Sequence, residues 1–330
     1  MHGWLVIDKP VGPGSTDIVS KVKRALREGG YPKVKVGHGG TLDPLASGVL
    51  PVALGEATKL AGRMLDADKV YDFTIGFGAE TDTLDAEGGV VATSEVRPTV
   101  VQVEAVLGRF IGPIEQVPPI YSALKVGGKR AYDLARAGAE VEMKPRPVTI
   151  HSLSAHVERS RDTPSSEAET DGPESFGFAR LSFSTLLEAS GAPFPFLDQV
   201  TLRARVSKGT YIRSLARDIA YALDTVGHVT MLRRLKAGPF TLEGAISLDN
   251  LAQHANARTL EQTLLPLTAG LDDIPALSVT PDQARALRQG REVIGTAAKP
   301  GLHLATDGSV PVALVELHGD RLRVVRGFNI

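Results

Sequence analysis

Apolar positions recur along the first part of the chain with two distinct periods. In TDIVSKVKRALR, Ile18, Val19, Val22, Ala25 and Leu26 share one face of a 3.6-residue helix, and Lys21, Lys23, Arg24 and Arg27 fall on the other. The pattern predicts a helix capped by Ser15 or Thr16 and entered from a strand, WLVIDKP, that proline ends. VLPVALG reads as an apolar strand. KVYDFTIGFG alternates as a strand, and TDTLDAEGGVV continues through a turn into another.

Further along, a helix is predicted near 100–110 and a strand over PRPVTIHSLSAHV. VTLRARVSKGTYIRSLARDIAYAL gives a strand, a tight Lys-Gly turn and an amphipathic helix with Ile212, Leu215, Ile219 and Leu223 inward. The last 55 or so residues hold short alternating stretches (LSVTP, REVIGT, LHLAT, VPVALVEL, RLRVVRGF), which predict a small β-rich domain after a boundary near Asp273. No internal repeat or heptad is present.

Composition changes this picture in three places. The 330 residues have room for one large domain and a smaller one, and no apolar run is long enough to span a bilayer. The start, MHGWLVIDKP, lacks the basic-then-apolar layout of a secretion signal. There is no cysteine, which excludes disulfides, thiolate catalysis and cysteine-ligated metals and fits a reducing cytoplasm. The formal net charge of −1 hides an uneven distribution. Between Val157 and Asp198 eight acids face three bases, so the rest of the chain is net basic. Residues from about 158 to 175 have little to bury and are expected to form a flexible surface insertion.

Several kinds of site can be set aside. The Gly-Lys pair in LKVGGKRAY lacks P-loop spacing, HGG at 38–40 has no G-x-S-x-G nucleophile to serve, and the eight histidines show no H-E-x-x-H. No metal site is indicated. The loop GHGGTLDPLASGVLPV is more specific: Pro44 pushes Asp43 towards extended geometry, while Gly37, Gly39 and Gly40 permit turns and close approach by another chain. Asp43 reads either as a turn residue or as a reactive carboxylate fixed by a partner. Arg213, near the start of a helix where the macrodipole disfavours a cation, is either exposed or paired with an anion such as Asp43. Tyr71 reads as a sheet aromatic or a stacking platform. LRRLKAG (232–238) suits either a helix end or a phosphate-contacting surface.

In order, the stretches GWLVIDKPVG, GHGGTLDPLASGVLPVALGEATKL, DKVYDFTIGFGAETDTLDAEG, PPIYSALKVGGKRAYDLAR, RPVTI, SKGTYIRSLARDIA and HVTMLRRLKAGPF resemble the TruB family of tRNA pseudouridine synthases, over roughly residues 3–250. The resemblance implies an α+β, pseudouridine-synthase fold, with a mixed, largely antiparallel central sheet and flanking helices, at residues 1–272. A small PUA-like domain would follow at 273–330. It implies isomerisation of a uridine in the T-arm loop of tRNA, expected at position 55, without a cofactor, a membrane or an obligate protein partner. Asp43 would be the catalytic aspartate, acting on C1′, on C6 or through a glycal. Tyr71 would stack on the flipped base, Arg213 would pair with Asp43, and Leu232 would pack in the pocket. His38 would insert into the RNA loop, Lys208 and Tyr211 would flank the pocket, and Lys9 and Pro10 would support the loop. The basic residues at 21–35, with Lys125, Lys129, Arg130, Arg203 and Arg205, are expected to reach phosphates. The 158–175 stretch is longer than usual for this family, and Gly14 stands where a polar or hydrophobic residue is common. Two other readings are an RNA chaperone on the same scaffold and a related synthase that works with guide partners.

Overall fold

A computed structural model of the chain describes residues 1–122, 124–139, 141–156 and 196–330. The acidic stretch at 158–175 lies outside the described residues. In chain order the strands up to Thr241 are β1 (Gly3–Lys9), β2 (Val36–His38), β3 (Ala46–Leu54), β4 (Lys69–Phe77), β5 (Ala79–Thr81), β6 (Val90–Thr93), β7 (Gly112–Gln116), β8 (Lys125–Val126), β9 (Lys129–Arg130), β10 (Arg146–His156), β11 (Gln199–Val206), β12 (Gly227–Ala237) and β13 (Phe240–Thr241). The main sheet runs β1-β3-β12-β4-β11-β10-β7, with β2 joined to β3 and β13 to β12. Every pairing in it is antiparallel except that of β3 with β12, which is parallel. This is the mixed, largely antiparallel sheet the resemblance implied.

The apolar run of β3 is buried on both faces. Leu50, Val52 and Leu54 pack with Leu5 and Ile7 of β1 beneath helix α1 (Ser15–Glu28), while Val49 and Ala53 turn the other way to Trp4 and Val6. α1 buries Ile18, Val19, Val22, Ala25 and Leu26 and exposes Lys21, Lys23, Arg24 and Arg27, as its periodicity requires. Its cap differs from the expectation. Gly14 is the N-cap residue and Asp17 accepts its N–H at 2.9 Å, which leaves Ser15 free for another task described below.

β4 and β11 have one apolar face. Phe73, Ile75, Leu202 and Ala204 pack against Ile212, Leu215 and Ile219 of the helix Ile212–Ala222. The opposite face carries Thr74 against Thr201 and Asp72 against Arg203. The LRRLKAG segment is no helix end: its residues up to Ala237 lie in β12, where Leu232 sits opposite Phe73 and Arg234 opposite Tyr71. Strands from both directions in the sequence therefore converge where β3 and β12 begin to pair.

A second sheet is built from β14 (Ala276–Ser278), β15 (Val293–Ile294), β16 (Gly301–Asp307), β17 (Val310–His318) and β18 (Arg321–Gly327), in the order β14-β16-β17-β18-β15. Leu304, Leu314 and Phe328 of this part share one apolar cluster with Trp4, Val6 and Leu60. Trp4 also donates its indole N–H to the Leu267 carbonyl at 3.1 Å. Among the described residues no helix is long and apolar enough to cross a membrane.

Candidate active site

The loop before β3 is held through its backbone. Carbonyls in a loop need partners as much as those in a helix do, and here each one from Gly40 to Pro44 has one. Arg234 donates to Gly40 O at 3.5 Å and Thr41 O at 3.2 Å while also bonding Val49 O at 2.7 Å. The Ser15 hydroxyl donates to Leu42 O at 3.1 Å and accepts the Leu42 N–H at 2.8 Å. Asp43 O accepts from Ala46 N, and Pro44 O accepts from Gly12 N and from the Lys9 ammonium at 3.2 Å. Lys9 further donates to Pro10 O and Pro13 O, at 2.9 and 2.8 Å. The N-terminal strand, α1 and β12 thus grip one loop from three sides.

The glycines serve that grip. Gly39 and Gly40 are buried: a Cβ on Gly39 would lie 2.7 Å from Met64 Cβ, and Gly40 has φ +148° with Arg234 behind it. They permit contact with the protein's own interior, not approach by another chain. Gly37 alone of the three has open space around it.

The carboxylate of Asp43 emerges from this mount and meets Arg213 at 2.9 Å. Arg213 is buried at the start of its helix, where the dipole disfavours a cation, and it is compensated by more than Asp43. The buried Asp85 stands 3.2 Å away, and the carbonyls of Thr83 and Tyr121 accept from the guanidinium at 2.8 and 3.1 Å. Asp85 is itself held by the Thr83 hydroxyl at 2.6 Å and the Glu87 N–H at 3.0 Å. One arginine therefore bridges a buried, fully bonded carboxylate and a partly exposed one, fixing the direction of the second.

A cavity of about 300 Å³ opens beside this pair, lined among others by Asp43, Lys69, Tyr71, Tyr211, Arg213, Leu232 and Arg234. The structure so brings together five of the residues singled out in the sequence. Tyr71 and Leu232 are half-buried across the join of two apolar clusters. The backbone of Tyr211 is clamped by Gln116, which donates to Tyr211 O at 3.1 Å and accepts its N–H at 2.8 Å. Burial pushes the Tyr211 phenol above its ordinary pKa.

The other singled-out residues lie apart. Lys9 is fully buried behind the loop, where loss of hydration lowers its pKa to about 8 against a smaller opposing pull from Asp43. Pro10 contributes only its carbonyl to that ammonium. His38 ends β2 opposite Val52, outside the cavity lining, and burial lowers its pKa. Lys208 is exposed and pairs with Asp66 at 3.0 Å. Arg203 and Arg205 project from the opposite sheet face and are taken by Asp72 and Asp68, at 2.6 and 2.8 Å, so they are not free cations awaiting phosphate. Arg234 is likewise interior, at 1 % exposure.

Four residues were not assigned to the site from the sequence: Ser15, read as a helix cap, Lys69, Asp85, and Arg234, read within a helix end or phosphate-contacting surface. Lys69 and Asp85 were within reach, since Lys69 shares the strand face of Tyr71 and Asp85 lies in the polar turn after it. Nothing local marks Ser15 or Arg234, whose partners lie 27 and 185 to 194 residues away.

With this geometry in view, comparison with known proteins is direct. The TruB family pseudouridylate synthase N-terminal domain matches residues 24–169, and the tRNA pseudouridylate synthase B C-terminal domain matches residues 213–272. The chain is similar to tRNA pseudouridine synthase B of Zymomonas mobilis, 56 % identical over 329 residues covering 100 % of this chain and 96 % of the relative. It is 57 % identical to the protein of that name from Novosphingobium aromaticivorans, covering 100 % and 98 %. Among solved structures, one titled "Crystal Structure of a Cbf5-Nop10-Gar1 Complex" superposes with a TM-score of 0.67 at 25 % identity, covering 99 % of this chain and 85 % of that one. The chain belongs to the TruB family of pseudouridylate synthases.

Proposed function

We propose that this chain isomerises the uridine at position 55 in the T-arm loop of tRNA to pseudouridine, with Asp43 as the reacting carboxylate. The observation that carries the reading is the ion pair of Asp43 with Arg213 at the mouth of a cavity sized for one nucleoside. A uracil stacked in a folded RNA loop must leave the stack before its glycosidic bond can be reached, at a cost of a few kcal/mol. Stacking on Tyr71, at roughly 1–3 kcal/mol per base, offsets that cost, and Leu232 closes the other side of the ring. The C1′–N1 bond breaks, the ring turns, C1′–C5 forms and H5 leaves as a proton. The atoms balance without an oxidant or a group donor, so the reaction calls for no cofactor.

Relatives 56–57 % identical over the whole chain carry the name of a tRNA enzyme, whereas the structure of a multi-protein complex lies at 25 %. That contrast favours tRNA as substrate and a chain that acts without an obligate protein partner, placed in the cytoplasm with its substrate. His38, close to Asp43 in the chain but outside the cavity, is assigned to the RNA loop that the base leaves. The sheet that begins at Ala276 supports a second, PUA-like domain from residue 273 onward. The test is a tRNA transcript tritiated at C5 of uridine. The chain alone should release tritium, while Asp43→Asn should release none and bind tRNA nearly as well. Release by Asp43→Asn at the wild-type rate would overturn the assignment, and release only with added proteins and a guide RNA would replace it.

A further inference from the structure

Lys69 stands two residues before Tyr71 on β4, so both side chains leave the same face of the strand and line the same cavity. It is 8 % exposed. Its ammonium donates to Leu65 O and Ala67 O, both at 2.6 Å, at the end of the helix Ala61–Asp66. An ammonium has three donors and no acceptor, and the third has no partner among the described residues. Of the nearby charges, Asp66 is paired with Lys208, Asp68 with Arg205, and Arg234 opposes Lys69 from β12. Burial, reinforced by Arg234, lowers the Lys69 pKa to about 8, leaving the amine mostly charged near neutrality. Keeping a cation here with no carboxylate bonded to it is costly, and an apolar side chain would fill the space more cheaply.

The other cations at the cavity are committed. Arg213 is spent on Asp43, Asp85 and two carbonyls, and Arg234 on Val49, Thr41 and Gly40. Lys69 has a donor to spare. Resting on the isomerase reading above, we propose that Lys69 is a catalytic residue that holds the detached uracil ring by donating its third N–H to a ring oxygen. Heterolysis of C1′–N1 leaves the bonding pair on the ring, spread from N1 over O2 and O4. Formation of C1′–C5 from that anion returns the pair to a bond, after which C5 loses its proton and N1 gains one. A cation beside those oxygens binds the separated anion more strongly than neutral uridine, which is where binding energy accelerates a reaction. It also retains the ring while it turns.

The experiment uses the full chain and the C5-tritiated tRNA transcript under single-turnover conditions, with tRNA affinity measured by filter binding and folding by thermal melt. Lys69→Met should slow isomerisation about 100-fold, the loss typical of one donor to a developing anion, with tRNA affinity within about threefold. Lys69→Arg, which keeps the charge, should recover at least about tenfold of that loss. Lys69→Gln, which can still bond the two carbonyls, takes the place of Lys69→Met if that variant does not fold. A Lys69→Met rate within about threefold of wild type overturns the proposal. So does a rate loss matched by lost affinity, which would make Lys69 a phosphate contact, or a Lys69→Arg no faster than Lys69→Met, which would make it a staple for the helix end. Wild-type chain that releases no tritium would overturn the isomerase reading itself.

Discussion

Ser15→Ala isolates the contribution of the loop mount from that of the chemistry. The hydroxyl makes two bonds to one residue, Leu42, directly before Asp43, and both ends are buried. Alanine leaves a buried N–H and a buried carbonyl unpaired, each worth about 1–3 kcal/mol. Partial relaxation brings the net loss to about 2 kcal/mol, or about 3 °C in a chain of this size. No helix cap is lost, because the cap is made by Gly14 and Asp17 rather than by Ser15. Arg234 still holds Thr41 and Lys9 still holds Pro44, so Asp43 shifts by a fraction of an ångström. A full ångström costs roughly 100-fold in rate, and the smaller shift should cost about tenfold in single-turnover isomerisation with tRNA affinity unchanged. The control is Asp17→Ala, which removes the cap bond at about 1 kcal/mol but touches nothing in the loop. If Ser15→Ala loses stability without losing rate, or if Asp17→Ala slows the reaction as much, the claim that backbone clamping sets the position of Asp43 is wrong.

Two further outcomes follow from the same geometry. Gly39→Ala should destabilise the fold by about 1–3 kcal/mol through overpacking against Met64 and should slow the reaction, because the same residue anchors the loop through its N–H to Pro51 O at 2.8 Å. Gly37→Ala, with open space around its Cβ, should do neither, and thermal melts with rate measurements separate the two. Stability should also vary with alkaline pH. Lys9 and Lys69 each have a folded pKa of about 8 against 10.5, so between those values the unfolded chain binds more protons and stability rises with pH. Burial and the bond to Glu80 push Tyr221 up to about 12, so above about pH 10 the folded state holds a proton the unfolded chain has lost, and stability falls. The urea midpoint should climb from pH 8 to about 10 and then decline. A steady fall from pH 8 contradicts both lysine assignments.

How much of this was legible in the sequence depended on distance along the chain. The α1 stripe, the alternation of β4 and the five terminal strands follow from local period, and all are present. The Asp43 loop and its partner were visible because Asp43 and Arg213 sit in distinctive surroundings, and the structure places them 2.9 Å apart. What local pattern does not carry is which polar side chains turn inward. LRRLKAG reads as a basic surface, yet a parallel pairing with β3 puts Arg234 in the interior, bonded to three carbonyls. The glycines of the loop read as access for a ligand because a sequence shows that a side chain is missing, not which side of the backbone is crowded. Arg203 and Arg205 are basic in composition but neutralised by partners 131 and 137 residues away.

The pairing of β3 with β12 has a consequence for the life of the chain on the ribosome. The loop that carries Asp43 is complete early in synthesis, but the guanidinium that straightens it comes from Arg234, 185 residues after its Val49 partner. Arg213, which aims the carboxylate, is made shortly before. Closing such long intervals is the slow part of folding. A nascent chain halted before the helix Ile212–Ala222 has the Asp43 carboxylate but neither arginine to set it. The proposed activity should therefore switch on late, so that an unfinished chain emerging among tRNAs at the ribosome leaves them untouched.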